Sequence, residues 1–384
     1  MLLGSLALAV PLLLAAAPVE LDRGLARTPP MGWNSWNRFG CDVSEALIRQ
    51  IAEALVTSGM RDAGYQYVVI DDCWQVNRDK DGALIADPER FPGGMKALGD
   101  SIHGLGLKFG IYTDVGRNTC QGRPGSLGHE EQDARTFAAW GVDYVKVDWC
   151  YSEGLDAPIQ YGKFRDALAA AGRPIVFSIC EWGRNQPWKW GPGTGHLWRT
   201  TQDIEDRWAS VLSILDPTSQ HDEASAPGGW NDPDMLEVGN GGMTDDEYRA
   251  HFSLWSILAA PLIAGNDLRS MSEATRAILT NREVIAVDQD PLGAQGTLVV
   301  SGPPELQVWC KPLRDGSRAV VLLNRSTVAA SITATWPRVG LQENAPAVVR
   351  DLWAHEDRGT FSSRFSATVP AHGAVMVHIA PVPR

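Results

Sequence analysis

The sequence predicts an α/β protein, with a (β/α)8 TIM barrel over residues 24–292 and a small antiparallel β-sandwich domain over residues 293–384. Short apolar runs alternate with amphipathic stretches, which is the pattern of βα units around a parallel sheet. Eight such units in about 265 residues match the size of a (β/α)8 barrel. The candidate strands end near Trp36, Asp71, Asp114, Asp148, Glu181, Asp203, Asp234 and Asp267.

The sequence shows capping signals at the N-termini of helices between these strands. In SEALIRQIAEAL the apolar residues share one helical face, and Asp42 or Ser44 can cap the helix. Thr244 and Glu247 stand at capping-box spacing before another apolar stretch. A doubly wound open sheet is the alternative fold. No GxGxxG or GxxxxGK[ST] follows a strand, so the usual reason to prefer that fold is missing.

After DQDPLGAQG, residues 288–296, the pattern changes. Short alternating runs such as LQVWCKPL, RAVVLLNRS and AVMVHIAP are separated by Gly, Pro, Asn and Ser. These runs predict the antiparallel β domain. It carries no acidic cluster of its own, so we expect a structural or accessory role.

Composition narrows the class of ligand. The chain has 384 residues, a formal net charge of -12 and no basic run, which argues against a nucleic-acid binder. A neutral or cationic small ligand fits better. Fifteen tryptophans are many for this length, and part of them suggest a stacking surface for a sugar or another flat ligand.

Residues 1–17, MLLGSLALAVPLLLAAA, resemble the apolar and cleavage regions of a signal peptide, although no Lys or Arg precedes the run. We therefore expect a secreted or periplasmic protein that keeps no membrane segment once the signal is removed. Six cysteines show no CxxC or Cys/His spacing for zinc. In an exported chain they allow two or three disulfides, whose pairing the spacing leaves open.

The stretch YVKVDWC places two charges in an apolar strand. Lys146 and Asp148 share one face of the strand and point toward the barrel axis, while Val145 and Val147 face the helices. A nearby lysine would favour an ionised Asp148, as a nucleophile requires. The structural alternative is a buried ion pair without a chemical role.

Further polar and aromatic residues lie near the other predicted strand ends. Such a cluster suits either a divalent metal or a polyol held by hydrogen bonds while two carboxyl groups do acid/base work. The histidines form no HxH or HExxH motif, which weakens the metal-dependent hydrolase, and the aromatic residues favour a sugar. The cluster consists of Trp36, Asp71, Asp72, Tyr112, Asp114, Glu181, Trp182, Arg199, Asp203 and Asp234.

A set of motifs in order over residues 28–296 resembles the α-galactosidases of glycoside hydrolase family 27. The resemblance implies a (β/α)8 barrel and a retaining double displacement with no metal or organic cofactor. By the same matching, the aspartate of KVDWC, Asp148, is the nucleophile, and the aspartate of WRTTQD, Asp203, is the acid/base. The motifs are PPMGWNSWNRFG, YVVIDDCW, GIYTDVG, YVKVDWC, CEWG, WRTTQDIEDRW, WNDPDML and DQDPLGAQG.

The resemblance also assigns the sugar contacts. Asp71 and Asp72 would take the hydroxyls at C4 and C6, with Lys146 nearby. Trp36 would lie against the apolar sugar face and Tyr112 would line the pocket.

Arg199 and Asp234 would sit toward the 2-hydroxyl, and Trp182 is a further candidate for substrate binding. Asp203 must hold a proton, although Arg199 tends to lower its pKa, so burial or the charge of Asp148 would have to raise it. Glu181 would fill the space that related α-N-acetylgalactosaminidases keep for an acetamido group.

The matching further implies disulfides Cys41–Cys73 and Cys120–Cys150. Cys180 is expected to be a free, pocket-lining thiol. Cys310, in the β domain, is expected to be buried and unpaired.

The expected activity is an exo-acting α-galactosidase that cleaves α-galactoside oligosaccharides or glycoconjugates. A β-L-arabinopyranosidase or an α-N-acetylgalactosaminidase of the same family, and a non-catalytic sugar-binding protein, are the alternatives. The oligomeric state stays open.

Overall fold

A computed structural model describes residues 24–382. The predicted signal, residues 1–17, lies outside the described residues. Within residues 24–382 no helix is both long and apolar enough to cross a membrane. The chain forms a (β/α)8 barrel followed by an antiparallel β domain, which confirms the predicted fold class.

Eight parallel strands build the barrel, and a hairpin is inserted after the second of them. Around the barrel the order is β10-β1-β2-β5-β6-β7-β8-β9, so the C-terminal ends of all eight strands meet on one face. In chain order the strands are β1 (Met31–Asn34), β2 (Tyr67–Val69), the hairpin strands β3 (Gln75–Arg78) and β4 (Leu84–Ala86), β5 (Lys108–Asp114), β6 (Tyr144–Asp148), β7 (Val176–Ile179), β8 (Leu197–Arg199), β9 (Trp230–Asp232) and β10 (Leu262–Ala264).

The barrel closes between β9 and β10 through a short contact. Pro233 follows β9 and has no N–H to continue the ladder, and Asp234 has a left-handed φ of 78°. The chain rejoins at Leu236, whose N–H donates to the Ile263 carbonyl at 2.8 Å. The Leu236 carbonyl accepts from the N–H of Gly265 at 3.1 Å. This break puts Asp234 at the barrel mouth instead of inside a strand.

Helices connect the strands on the outside. Ser44 caps α2 by accepting from the N–H of Leu47, and Thr244 and Glu247 form a capping box at α9, so both predicted helix starts are confirmed. Between β7 and β8 the chain is short and holds one four-residue helix, α7. The helices are α1 (Trp36–Phe39), α2 (Glu45–Thr57), α3 (Met60–Ala63), α4 (Gly94–Gly104), α5 (Glu130–Trp140), α6 (Ala157–Ala170), α7 (Pro187–Trp190), α8 (Trp208–Thr218), α9 (Asp245–Ile257), α10 (Glu273–Leu279) and α11 (Arg282–Asp288), with 3-10 helices at Ser219–Ala224 and Leu268–Ser270.

The C-terminal domain is a sandwich of a six-stranded antiparallel sheet and a two-stranded one. The larger sheet has the order β11-β12-β13-β18-β15-β16, and β14 pairs with β17 in the second layer. The strands are β11 (Thr297–Ser301), β12 (Leu306–Pro312), β13 (Arg318–Asn324), β14 (Ala330–Thr335), β15 (Ala347–Asp351), β16 (Glu356–Phe361), β17 (Arg364–Val369) and β18 (Ala374–Pro381).

Alternate residues of the larger sheet enter two different cores. Val320 and Leu322 belong to the core inside the sandwich. Val321 and Leu323 point the other way, with Trp309, and join the core of the barrel. The sheet packs on the barrel through α9, which contacts β13 and β18. Apolar burial therefore joins the two parts of the chain.

One lysine enters this junction. Lys311 on β12 is fully buried, and its Nζ lies 3.5 Å from the Ser256 carbonyl and 3.4 Å from the Asp288 carbonyl. Burial lowers the pKa of Lys311 to about 8 and raises the pKa of the Asp288 carboxyl to about 8.

Candidate active site

A cavity of about 410 Å³ opens at the C-terminal ends of the barrel strands, where this fold carries its chemistry. It brings together all the predicted catalytic and sugar-binding residues except Glu181. These residues are Trp36, Asp71, Asp72, Tyr112, Lys146, Asp148, Trp182, Arg199, Asp203 and Asp234.

Asp148 is the last residue of β6 and is 6% exposed. The Tyr112 hydroxyl donates to its Oδ2 at 3.0 Å, and the N–H of Trp149 donates to Oδ1 at 3.0 Å. Burial raises the pKa of Asp148 to about 6, even though the charge of Lys146 lowers it. The carboxylate is therefore fixed in place by two donors but is harder to ionise than an ordinary aspartate.

Lys146 pairs with Asp71 and not with Asp148, which corrects the predicted partner. Its Nζ lies 2.9 Å from Asp71 Oδ2, which also accepts from Asn34 Nδ2 at 2.7 Å. The long lysine side chain reaches across to the residue at the end of β2. Burial alone would lower the pKa of Lys146, but the charges of Asp71, Asp148 and other neighbours raise it. Lys146 is thus a stable cation that acts on Asp148 through its charge.

Arg199, at the end of β8, makes ion pairs with two other carboxylates of the cavity, Asp203 and Asp234. Its Nη2 lies 3.0 Å from Asp203 Oδ1 and 2.9 Å from Asp234 Oδ2. The side chain of Asp203 is 64% exposed, whereas that of Asp234 is buried. Partial burial would raise the pKa of Asp203, but the Arg199 and Lys146 charges outweigh it and lower that pKa.

In the unliganded site the proton therefore favours Asp148 over Asp203. The sequence predicted the reverse, an ionised Asp148 and a protonated Asp203. In the free protein the charge of Arg199 outweighs the partial burial of Asp203, and the predicted protonation states stay a prediction for the site with substrate bound. Asp148 is the more buried of the two.

Glu181 is fully buried and is absent from the residues that line the cavity. Its Oε2 accepts from the N–H of Asn185 at 2.6 Å and from Asn185 Nδ2 at 2.7 Å. Its Oε1 accepts no hydrogen bond among the described residues, so the contact of Glu181 with the sugar stays a prediction. Burial raises the pKa of Glu181 to about 7.

Two disulfides hold the loops after the strands, with the predicted pairs Cys41–Cys73 and Cys120–Cys150. Cys120 itself lines the cavity. Cys180 is free, as predicted, but it is buried 3.6 Å from Arg199 Nη1 and is not part of the cavity lining.

The sulfurs of the second disulfide also lie within 4.8 Å of carboxylate oxygens of Asp114 and Asp148. Because both cysteines are oxidised, the group offers no thiolate to a metal. Asp114 instead accepts backbone N–H groups of Gly116 and Cys150 at 2.6 and 2.8 Å. Asp114 thereby supports the loops beside Asp148.

Sequence reasoning missed part of the cavity wall. Glu237 is buried there, accepts from the amides of Asn37 and Asn240, and has a pKa that burial raises to about 7. The only signal was its position, directly after the WNDPDML motif. The other residues that complete the wall are Arg38, Cys120, Ile204, Glu205, Asp206 and Met235.

Comparison with known proteins agrees with this geometry. A family model described as alpha galactosidase A matches residues 28–290, and one for the alpha galactosidase C-terminal beta sandwich domain matches residues 304–379. The α-galactosidase of Cyamopsis tetragonoloba is 50% identical over 362 residues, which are 94% of this chain and 88% of that protein.

Solved structures give the same answer. The crystal structure of α-galactosidase I from Mortierella vinacea superposes with a TM-score of 0.91 and 40% identity, over 94% of this chain and all of that one. The α-galactosidase of Saccharomyces cerevisiae with raffinose has a TM-score of 0.88 and 31% identity, over 95% of this chain and all of that one. The chain is a glycoside hydrolase and belongs to the α-galactosidase (melibiase) family, glycoside hydrolase family 27.

Proposed function

We propose that this chain is a retaining exo-α-galactosidase that releases terminal α-D-galactosyl residues by double displacement. One observation carries the proposal. The same cavity of about 410 Å³ holds the buried carboxyl group of Asp148 and the exposed carboxyl group of Asp203, and each accepts hydrogen bonds. The charge of Asp203 is among the causes that raise the pKa of Asp148, so the two groups interact.

In the first step the Asp148 carboxylate attacks the anomeric carbon of the galactosyl unit. The bond from that carbon to the aglycone oxygen breaks, and Asp203 gives its proton to the departing oxygen. The Tyr112 hydroxyl, which donates to Asp148 Oδ2, keeps the attacking group oriented. The product is an ester between galactose and Asp148.

In the second step Asp203, now ionised, takes a proton from a water molecule. The water oxygen attacks the same carbon, and Asp148 leaves as a carboxylate. Two inversions return the original configuration. The proposed steps use protein groups and water alone.

Substrate binding must move the proton from Asp148, which holds it in the free site, to Asp203. A sugar that covers the exposed Asp203 removes water from it and raises its pKa. Lys146, kept charged by Asp71, favours an ionised Asp148 at the same time. The proton moves to Asp203 when the aglycone oxygen lies beside it.

The remaining cavity residues suit a galactosyl unit. Asp71, Asp72 and Lys146 provide acceptors and donors for the hydroxyls at C4 and C6. Trp36 offers an apolar ring for one face of the sugar. Arg199 and Asp234, ion-paired at 2.9 Å, would lie toward the 2-hydroxyl.

We also propose that the protein is exported. Its two disulfides fit an oxidising compartment.

The anomer of galactose that appears first tests the mechanism. We would follow the hydrolysis of para-nitrophenyl α-D-galactopyranoside by proton NMR, with EDTA present. We expect α-galactose first, because retention requires the covalent ester. Initial β-galactose would remove Asp148 as a covalent nucleophile. Turnover of the β-L-arabinopyranoside instead of the galactoside would overturn the substrate.

A further inference from the structure

A second cavity adjoins the sugar pocket and has no role in the steps above. It measures about 570 Å³ and shares one wall residue, Trp182, with the sugar pocket. We call it the outer cavity. It is lined by Trp149, Cys150, Tyr151, Ser152, Glu153, Gly154, Leu155, Trp182, Arg184 and Asn185.

The outer cavity lies on the side of Asp203. The Arg184 guanidinium stacks over the Trp182 ring at 4.5 Å from its centroid. Its charge is one of the causes that lower the pKa of Asp203. Gln202, the neighbour of Asp203 in sequence, donates from Nε2 to the Trp182 carbonyl at 3.3 Å. The residues around Trp182 thus connect the outer cavity to the proposed acid.

The chemistry fixes which part of the substrate enters on that side. A general acid must contact the oxygen that departs, so the aglycone leaves the sugar pocket beside Asp203. A terminal galactosyl unit in the sugar pocket would therefore extend its aglycone over Trp182 into the outer cavity.

Tyr151 makes the outer cavity a suitable surface for sugars. Its side chain is among the exposed large hydrophobic groups, with 52% exposure. Its backbone has a left-handed φ of 46° and follows Cys150, which is held by the disulfide to Cys120. Any Cβ at Gly116 would come within 1.9 Å of the Cys150 carbonyl oxygen, so this turn is tightly packed. A large ring on a fixed backbone loses little freedom when a ligand stacks on it.

The polar residues of the outer cavity match hydroxyl groups. Arg184 and Asn185 supply donors, and Glu153 supplies acceptors. The lining mixes both signs of charge, which suits neutral glycosyl units. Together with the aromatic rings of Trp149, Tyr151 and Trp182, it has the composition expected of a carbohydrate site.

Another cavity beside the sugar pocket is the alternative place for the aglycone. A cavity of about 320 Å³ shares Arg38 and Asn240 with the sugar pocket. Tyr248 is the one aromatic residue in its lining, and this ring is buried with its hydroxyl bonded to Asp206 at 2.9 Å. That cavity offers no exposed ring for stacking.

We propose that the outer cavity binds the glycosyl units of the aglycone, with Tyr151 as the stacking platform that makes the enzyme prefer oligosaccharide α-galactosides. This inference rests on the proposed function. The ligand class is a neutral oligosaccharide whose non-reducing end carries an α-galactosyl unit.

The test compares a substrate with an aglycone and one without. We would measure kcat/KM for raffinose and for α-D-galactosyl fluoride with the wild type, Tyr151→Ala and Tyr151→Phe. We expect Tyr151→Ala to lower kcat/KM for raffinose about tenfold, mainly through KM, and to change the fluoride by less than about twofold. Tyr151→Phe keeps the ring face and should retain the wild-type preference.

Met271→Ala, in the rival cavity alone, is the matched control. Equal effects of Tyr151→Ala on both substrates, or no effect on raffinose, would overturn the inference. So would a selective loss on raffinose in Met271→Ala. A wild type that leaves the fluoride intact would instead refute the proposed function.

Discussion

Lys146 and Lys311 each interrupt an apolar strand, and each has an aspartate near it, but their surroundings differ. Lys146 makes an ion pair with Asp71 at 2.9 Å and lies at the mouth of the barrel. Lys311 contacts two carbonyl oxygens between the barrel and the β domain. The pKa of Lys146 is raised, whereas burial lowers the pKa of Lys311 to about 8.

The aspartates repeat the contrast. Asp148 ends its strand in an open cavity with two hydrogen-bond donors, and its pKa is about 6. Asp288 is closed off, its Oδ1 has no partner among the described residues, and its pKa is about 8. A buried charge therefore indicates chemistry when other charges and a cavity surround it. Without other charges and a cavity, a buried charge only destabilises the fold, because desolvation favours the neutral form.

The largest expected effect separates the two aspartates by activity. Asp148→Asn should reduce kcat/KM on the order of 10⁴-fold, because the amide is no nucleophile. Asp288→Asn is the matched control, because it makes the same change at another buried site beside a lysine. It should keep wild-type kinetics in an assay with para-nitrophenyl α-D-galactopyranoside. Comparable losses in both variants would mean that Asp148 acts through folding.

The next effect concerns the acid. Asp203→Asn should lower kcat/KM on melibiose about 10³-fold, because the sugar leaving group needs a proton. The loss on the para-nitrophenyl galactoside should be much smaller, since nitrophenolate leaves without one. Steady-state kinetics on both substrates would show the difference.

Glu205→Gln provides the control two residues away. Glu205 is exposed and pairs with Arg207, so the change should leave both substrates close to wild type. A leaving-group effect in Glu205→Gln, and none in Asp203→Asn, would move the acid to Glu205.

A third effect lies in the pH profile. The free enzyme holds its shared proton on Asp148, so the wild-type kcat/KM should fall as pH rises above about 6. In Asp203→Asn on the para-nitrophenyl galactoside, the one remaining requirement is an ionised Asp148. Its kcat/KM should therefore rise with pH through the pKa of Asp148, which lies below about 6 in the variant because the charge of Asp203 is gone, and should not fall above pH 6. A kcat/KM of the variant that falls above about pH 6, as in the wild type, would exclude Asp203 as the acid/base.

The barrel and most residues of the cavity could be predicted from the sequence. The spacing of the strand ends and the caps at Ser44 and Thr244 predicted the barrel, because local patterns specify local elements. The cavity residues were found since they end parallel strands. The ion pair between Lys146 and Asp71 was not, because it joins residues 75 positions apart through the reach of one long side chain.

The orientation and the solvent exposure of individual side chains could not be predicted from the sequence either. Glu181 follows a barrel strand as Asp148 does, but its Oε2 accepts two hydrogen bonds from Asn185 in the turn before α7, a contact that the strand pattern could not predict. The order of the pKa values of Asp148 and Asp203 depends on how exposed Asp203 is. Lys311 gave no sign of its burial, since β12 alternates between two cores that exist only after folding.

The smallest expected effect returns to the two aspartates through stability. The pKa of Asp288 rises from 3.8 to about 8 and that of Asp148 from 3.8 to about 6 on folding. Each protonated carboxyl therefore stabilises the fold fully below about pH 4, and this contribution is lost as pH rises through the folded pKa. Asparagine cannot ionise, so Asp288→Asn should gain stability over the wild type between about pH 4 and 8, by a few kcal/mol at most. Asp148→Asn should gain less, on the order of 3 kcal/mol at most, and reach its full gain near pH 6.

Thermal unfolding across this range measures both gains. A gain in Asp148→Asn together with lost activity would mean that the ionised nucleophile is kept against the preference of the fold, while the ionised Asp288 serves no reaction. Stability curves that run parallel to the wild type in both variants would refute the raised pKa values and the contrast built on them.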